Sequence, residues 1–206
     1  MNNIMSKRLT QFGALIMCVI MILCLTSCSG IDADKKASDT KKTSASTTAS
    51  KKAKNAGEGK KVYFAGPMFN QGEKDFNLKI VKVLEDSGYE VFLPQRDGIE
   101  AALLEGKTEE ELTEMIFELD DSEVEKADIL FMNIDGRVPD EGACVELGIA
   151  YAKGKRCYGF KTDTRSIEKS MDLNPMIAGC MIKIFKNYDG DELAKDIKKY
   201  LSKNEL

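Results

Sequence analysis

Residues 142–152 read Gly-Ala-Cys-Val-Glu-Leu-Gly-Ile-Ala-Tyr-Ala, an apolar run with a single charge, Glu146, near its centre. The run follows a strand-like pattern and a short Pro-Asp-Glu turn, so that strand, turn and helix succeed one another as in a βα unit. Because the segment is apolar on all sides, it is not typical of a surface helix, and we expect Glu146 in or beside the core. Such a carboxylate has either a structural partner, such as a neighbouring helix or backbone N–H groups, or a catalytic role.

The same alternation of strand and helix patterns extends through the rest of the domain. Strands are predicted over Lys61–Ala65, Tyr89–Leu93, Asp128–Asn133, Arg156–Phe160 and Met181–Phe185. Helices are predicted over Glu73–Ser87, Glu109–Lys126, Glu141–Lys153 and Asp189–Lys203, with a shorter one near Leu173–Ala178. This order predicts an α/β fold, a doubly wound, flavodoxin-like, five-stranded and mostly parallel sheet of order 2-1-3-4-5 with helices on both faces. Ligands bind such sheets beyond the carboxyl ends of the first and third strands, here at loops 66–72 and 134–140.

The N-terminal segment has the pattern of a lipoprotein signal peptide over residues 1–28. Lys7 and Arg8 precede an apolar run, Phe12–Leu25, and Leu25-Thr26-Ser27-Cys28 resembles the lipobox of bacterial lipoproteins. The apolar run is shorter than the roughly 20 residues that cross a bilayer. We therefore expect cleavage before Cys28, lipidation of its thiol, and an extracytoplasmic domain that a lipid alone anchors to the cell membrane. An uncleaved anchor is the alternative.

Residues 29–59 contain mostly Lys, Ser, Thr, Ala and Asp and almost no large apolar side chain. Such a composition cannot bury enough apolar surface to offset the entropy lost on ordering, so a disordered tether is predicted. The remaining residues, 60–206, suit a single domain with one core.

The composition excludes several kinds of chemistry. The chain has no histidine, which rules out Ser-His-Asp and Cys-His mechanisms and any His-ligated metal. The cysteines of the domain, Cys144, Cys157 and Cys180, are odd in number and lack the spacing of a metal site, so neither a disulfide framework nor a zinc site is expected. The formal charge of -4 becomes -6 once Lys7 and Arg8 are removed, and no basic stripe remains, so nucleic acid is not an expected partner. Carboxylates must therefore carry any acid–base chemistry.

Asp120 is a second candidate acid. Leu112, Ile116, Asp120 and Val124 recur at a spacing of four residues, which places Asp120 on the apolar stripe of its helix. Alternatively, the helix frays before Asp120, or the carboxylate caps a local turn. Two carboxylates near the predicted pocket suit substitution at a sugar anomeric carbon, where one attacks and the other moves a proton. A pure binding site for ribose hydroxyls would use the same groups.

Four motifs in chain order resemble those of the nucleoside 2-deoxyribosyltransferase family. They are Val62–Pro67, Asp120 ahead of Asp128, Asp140–Gly148 and Asn174–Ile177, and the resemblance covers about residues 61–185. It implies transfer of 2-deoxyribose between the purine or pyrimidine bases of 2′-deoxynucleosides through a covalent glutamyl-sugar intermediate, with retention and without a cofactor. The expected partners are thus deoxynucleosides and free nucleobases.

The resemblance also implies roles for four catalytic residues. Glu146 corresponds to the nucleophile, Asp140 to the acid that holds sugar hydroxyls, and Asp120 to the acid that exchanges protons with the base. Tyr63 corresponds to a tyrosine that orients the nucleophile. From the residues alone, Asp140 is equally an ordinary helix N-cap and Tyr63 an ordinary core aromatic.

Further substrate-binding residues follow from the same resemblance. It places Gly66, Phe69 and Gly142 in the pocket, with the Phe69 ring beside the base. Gln95 and Asp97 stand in the loop from which the family contacts the base edge.

Asn174 and Met176 correspond to residues that the family contributes to the pocket of a neighbouring subunit. The resemblance therefore implies a homo-oligomer with shared pockets. Without it, Asn174-Pro175 reads as an ordinary turn.

Two observations bear on the choice between related activities and substrates. The loop Pro67-Met68-Phe69-Asn70 has no cation, whereas nucleotide hydrolase relatives of the family hold a 5′-phosphate with Ser and Arg there, so a free nucleoside is expected. The alternative is a 5′-phosphate that is held by Arg96, Arg137 or Arg165. The extracytoplasmic location makes a nucleoside or deoxynucleotide N-glycosidase, which passes the sugar to water, an alternative to the transferase. A non-catalytic nucleoside-binding lipoprotein is the second alternative.

Overall fold

The computed structural model describes residues 56–166 and 171–206. The predicted signal peptide, including Cys28, lies outside the described residues, as does the predicted tether except for residues 56–59. Those residues form a turn against the domain, in which the backbone N–H of Gly57 donates to the carbonyl of Ser87 at 3.1 Å. Within the described residues, no helix combines the length and apolarity needed to cross a membrane.

The centre of the domain is a sheet of five parallel strands in the order β2-β1-β3-β4-β5, which confirms the predicted topology. The strands are β1 (Lys61–Ala65), β2 (Glu90–Phe92), β3 (Ile129–Asn133), β4 (Arg156–Lys161) and β5 (Lys183–Lys186). The first strand lies between β2 and β3, so the chain reverses its direction of winding there. The carboxyl ends of β1 and β3 thus flank the crevice in which such sheets bind ligands.

Seven helices are seen among the described residues. They are α1 (Gln71–Asp86), α2 (Pro94–Asp97), α3 (Ala101–Leu104), α4 (Glu109–Lys126), α5 (Glu141–Ala152), α6 (Pro175–Cys180) and α7 (Gly190–Leu201). Capping boxes open α1 at Asn70 and α4 at Thr108, where a side chain and the third helical residue satisfy each other's backbone N–H groups. The one-turn helices α2 and α3 were not predicted, because so short a segment shows no helical periodicity.

Alternate residues of β1 divide the core into two layers. Val62 and Phe64 pack with α1 and α7 on one face of the sheet. Tyr63 and Ala65 pack with α4 and α5 on the other face. The period of two along a strand therefore directs Tyr63 toward the helix that carries Glu146.

Helix α5 was expected to be buried on all sides, but it lies at the surface with one buried face. Its buried residues, Ala143, Leu147 and Ala150, form a single face, whereas Val145 is 58% exposed and Tyr151 is 57% exposed. Glu146 lies at the edge of the buried face, beside the core. Val145 borders a groove between α4 and α5 together with Ile149, and this accounts for part of the apolar sequence on the outer side of the helix.

Candidate active site

A cavity of about 240 Å³ opens beyond the carboxyl ends of β1 and β3. It lies between the loop after β1, helix α2, and the facing sides of α4 and α5. Its lining includes seven of the predicted site residues: Gly66, Phe69, Gln95, Asp120, Asp140, Gly142 and Glu146. The fold thus brings together most of the side chains that the sequence singled out from separate motifs.

The carboxylate of Glu146 is held by a hydrogen bond from Tyr63, a residue of strand β1. The hydroxyl of Tyr63 donates to Oε1 of Glu146 at 2.7 Å, and the tyrosine side chain is fully buried in the core. Tyr63 is therefore both a core aromatic and a partner of the carboxylate. Its one proton is used by Oε1, which leaves Oε2 without this bond.

The electrostatics of the site favour a carboxylate that is easily protonated. The pKa of Glu146 is raised to about 7, chiefly by burial; the hydrogen bond from Tyr63 lowers this pKa, and the charges of Asp120 and Asp140 also raise it. Burial also raises the pKa of Tyr63 far above its ordinary value, and the charge of Glu146 adds to that shift. Tyr63 is thus a neutral donor at any physiological pH, whereas Glu146 is a poorly solvated base.

Asp120 reaches the cavity because α4 continues to Lys126 and packs against both α5 and β1. The alternatives in which the helix frays or Asp120 caps a turn do not apply. Burial raises the pKa of Asp120, and the nearby Tyr63 hydroxyl lowers it. A carboxyl group with a raised pKa holds its proton more readily than a solvated one, which suits a group that passes a proton to and from a ligand.

Asp140 is the N-cap of α5. Its Oδ2 accepts a hydrogen bond of 2.8 Å from the backbone N–H of Ala143, and the residue also lines the cavity. One oxygen of the Asp140 carboxylate thus caps the N-terminus of α5, and the other oxygen is available to a ligand. Gly142 lies beside it, where a Cβ would come within 3.2 Å of the same Oδ2.

Gly66 forms the wall of the cavity next to β3. Its φ is +155°, and a Cβ at this position would lie 2.7 Å from the Cβ of Asn133. Any side chain would push the loop after β1 away from the end of β3. Phe69 lies farther along the same loop, at the rim, and is 78% exposed.

Of the two predicted base contacts on α2, Gln95 lines the cavity and Asp97 does not. Gln95 lines the cavity, whereas Oδ2 of Asp97 accepts from the backbone N–H of Leu93 at 2.8 Å and its Oδ1 accepts from Arg96 at 2.8 Å. Residues two apart in a helix point in nearly opposite directions, so α2 cannot direct both side chains into the cavity. The prediction of a base contact by Asp97 is therefore not supported by its position.

Asn174 and Met176 lie away from the cavity lining of their own chain. Asn174 caps α6, where its Oδ1 accepts from the backbone N–H of Met176 at 2.9 Å. The Met176 side chain is 78% exposed. Neither residue is among the described residues that line this cavity, so the structure of one chain gives them no contact with the site.

Two buried amides near the cavity were missed by sequence analysis. Asn77 is 2% exposed and lines the cavity from α1, and Asn133 is 1% exposed at the end of β3. Asn77 could have been noticed as the one polar residue in the buried stripe that includes Ile80, Val81 and Leu84. Asn133 ends an otherwise apolar strand at the predicted switch point, which is the corresponding signal.

The chemistry available at the site is that of carboxylates. Among the described residues that line the cavity, none is Lys or Arg. Within residues 56–166 and 171–206, no group of His, Cys, Asp or Glu side chains is arranged to hold a metal ion. The arrangement offers an oriented carboxylate, a second carboxyl group that can exchange a proton, and a third that can accept a hydroxyl.

Comparisons with known proteins agree with this geometry. Residues 62–200 match the family described as nucleoside 2-deoxyribosyltransferase. The 2-deoxyribosyltransferase of Bacillus psychrosaccharolyticus is 28% identical, with a TM-score of 0.56 over 68% of this chain and 91% of that one. A conserved protein from Enterococcus faecalis V583 is 24% identical, with a TM-score of 0.53 over 68% of this chain and 98% of that one, and this likeness concerns the fold alone. No curated protein matched the sequence.

Proposed function

The chain belongs to the nucleoside 2-deoxyribosyltransferase family, and from this premise we propose that it moves 2-deoxyribose from one nucleobase to another with Glu146 as the nucleophile. The observation that carries the proposal is the hydrogen bond of 2.7 Å from Tyr63 to Oε1 of Glu146 at a cavity that Asp120 and Asp140 also line. A binding site for sugar hydroxyls would not need a carboxylate whose pKa burial raises to about 7.

The first half of the proposed reaction forms an ester. Oε2 of Glu146 attacks C1′ of the nucleoside, the bond from C1′ to the base nitrogen breaks, and the electron pair leaves with the base. Asp120 in its protonated form donates a proton to that base, which becomes a neutral leaving group. The positive charge that develops on the sugar in the oxocarbenium-like transition state is stabilised by the negative carboxylates around it.

The second half reverses these steps with a new base. A nitrogen of the incoming base attacks C1′, the ester bond to Glu146 breaks, and the proton released by the base returns to Asp120. Two displacements at the same carbon give net retention of configuration. Asp140 holds a sugar hydroxyl through the carboxylate oxygen that does not cap α5, and Phe69 covers one face of the base.

The proposed substrate is a free 2′-deoxynucleoside. A 5′-phosphate would need a cation, and the described lining of the cavity has none. Phosphate would also bring negative charge close to the four carboxylates of the lining, those of Asp120, Asp140, Glu141 and Glu146.

Transfer to water is the competing outcome of the same ester, because any water that reaches C1′ can take the place of the second base. The two activities are separated by product analysis with deoxyinosine, with and without excess adenine. A transferase gives deoxyadenosine and hypoxanthine only when adenine is present. An N-glycosidase gives free 2-deoxyribose and hypoxanthine in both mixtures, and a binding protein gives no product.

We also propose that the working form is a homo-oligomer in which Asn174 and Met176 complete the pocket of a second copy. The exposed position of Met176 supports this, as does an apolar groove of about 470 Å³ between α4 and α5 that opens on Glu146. A second copy across this groove would keep water from the ester. A fully active monomer in light scattering at nanomolar concentration would exclude the shared pocket.

The site of action is proposed to be the outer side of the cell membrane, with anchoring through a lipid on Cys28. The support is the lipobox pattern of the sequence alone. Mass spectrometry of the mature protein should find an acylated Cys28 at its N-terminus, and an unmodified Cys28 would exclude the anchor.

A further inference from the structure

Three side-chain amides form a continuous hydrogen-bonded series behind the cavity, which we call the amide relay: Asn133, Asn77 and Gln95. Nδ2 of Asn133 donates to Oδ1 of Asn77 at 2.9 Å, and Nδ2 of Asn77 donates to Oε1 of Gln95 at 3.0 Å. Asn133 and Asn77 are buried, whereas Gln95 lies at the cavity surface. The relay therefore joins the end of β3, helix α1 and helix α2 at the wall of the site.

Backbone groups fix the direction of every amide in the relay. At one end, the N–H of Asp135 donates to Oδ1 of Asn133 at 3.0 Å. In the middle, Nδ2 of Asn77 also donates to the carbonyl of Pro67 at 2.8 Å. At the other end, Nε2 of Gln95 donates to the carbonyl of Lys74 at 2.9 Å. Since a backbone N–H can only donate and a carbonyl can only accept, no amide of the series can be turned over without breaking bonds.

The consequence for Gln95 is a side-chain amide with one remaining donor and one remaining acceptor in fixed places. An amide carries two N–H donors and a carbonyl with two lone pairs, and the relay uses one of each. A free glutamine can rotate its amide by half a turn and so accept either of two ligands with exchanged donor and acceptor. A glutamine with a fixed amide matches only one of these two ligands, because the other ligand would place donor against donor and acceptor against acceptor and leave those groups unpaired.

We propose that Asn77, itself oriented by Asn133, acts with the Lys74 carbonyl to lock the Gln95 amide, so that the two asparagines are positioning residues that set which nucleobases the site accepts; this inference rests on the proposed function. The bases it separates are pairs of equal shape in which an amino group replaces a carbonyl. Adenine and hypoxanthine are such a pair, and cytosine and uracil are another. In each pair, the donor and acceptor on adjacent ring positions are exchanged.

The test measures binding of these four free bases to the full-length protein by calorimetry, which requires no turnover. The wild type should bind the amino and carbonyl members of a pair with different Kd values. Asn77→Leu and Asn133→Leu should each bring that ratio at least about fivefold closer to one, the equivalent of one hydrogen bond. Gln95→Met should remove the discrimination, and adding Asn77→Leu to it should change nothing further.

The control variant is Val81→Ala, which destabilises the same helix from a buried position without touching the relay. Its loss of thermal stability should leave the ratio of Kd values unchanged. A ratio in both relay variants equal to that of the wild type would overturn the proposal, and so would a wild type that binds both members of each pair equally or none of the bases. Failure of the proposed function is recognised separately, as normal discrimination in binding without formation of any new nucleoside.

Discussion

The hydroxyl of Tyr63 and Oε1 of Glu146 are 2.7 Å apart, although the residues are 83 positions apart in the sequence. This side-chain hydrogen bond thus joins the first strand to helix α5 at the edge of the buried layer in which the two elements pack. The bond fixes one oxygen of the carboxylate and directs the other to the cavity. If Glu146 attacks a sugar carbon, this contact determines the direction of attack.

Tyr63→Phe removes this contact and keeps the aromatic ring in the core. We expect kcat to fall by about 10- to 100-fold, because the carboxylate loses its orientation. The acidic limb of the pH profile of kcat should also move to higher pH, since the hydrogen bond from Tyr63 lowers the pKa of Glu146. Tyr158→Phe is the matched control, because Tyr158 is equally buried and its hydroxyl accepts from Arg156 outside the cavity. A Tyr63→Phe enzyme with an unchanged pH profile would remove the proposed role of the hydroxyl.

The raised pKa of Glu146 has a consequence for stability. Its pKa is about 7 in the folded protein against 4.5 as a free side chain, so the folded state binds the proton more tightly. The stabilisation is therefore fully present below pH 4.5 and is lost as the pH rises through 7, up to about 3 kcal/mol in total. Urea denaturation should show the wild type losing more stability between pH 5 and pH 8 than Glu146→Gln does. Equal losses in both proteins would mean that the pKa of Glu146 is not raised.

Asp120→Asn should impair the steps in which a base gains or loses a proton. We expect kcat to fall by about 10²- to 10⁴-fold, the usual contribution of a general acid or base, and to fall less for bases that leave easily without protonation. The measurement is steady-state exchange with a series of donor nucleosides. Asp121→Asn is the control, since Asp121 lies next in the helix and borders the groove and not the cavity. Equal effects of the two substitutions would contradict the role given to Asp120.

The substrate preference follows from charge. Among the described residues of the lining, three are carboxylates near Glu146 and none is a cation, so kcat/KM should be higher for 2′-deoxynucleosides than for their 5′-monophosphates. The comparison needs both substrates at low ionic strength, where charge effects are largest. Equal or better use of a monophosphate would place the protein with nucleotide hydrolases instead.

The order of the sheet could be predicted because each strand is a short apolar run and each long helix has its own period and caps. The position of Asp120 could be predicted only in part. Its spacing from Val124 placed it on the inner side of α4, but the inclination of that helix across β1 depends on packing that periodicity does not contain. Helix α2 shows the same limit of sequence analysis. Gln95 and Asp97 are only two residues apart, yet Gln95 lines the cavity whereas Asp97 forms an ion pair with Arg96, and the sequence does not tell which of the two faces the site.

The amide relay could not be predicted at all. Asn77, Asn133 and Gln95 come from three motifs that are remote in the sequence, and only the folded sheet brings their amides together. A single asparagine in an apolar stripe indicates that some partner exists. It does not say which one, because hydrogen-bond partners of buried amides are set by tertiary structure.

The central claim is that Glu146 forms a covalent bond to the sugar, and mass spectrometry tests it most directly. The protein is incubated with a 2-fluoro-2-deoxynucleoside, whose fluorine slows breakdown of the ester, and is then digested. The peptide that contains Glu146 should gain the mass of one fluorinated sugar, and Glu146→Gln should show no such gain while remaining folded. Wild-type exchange activity without any labelled peptide, or near wild-type exchange by Glu146→Gln, would contradict the account and leave Glu146 with a structural role.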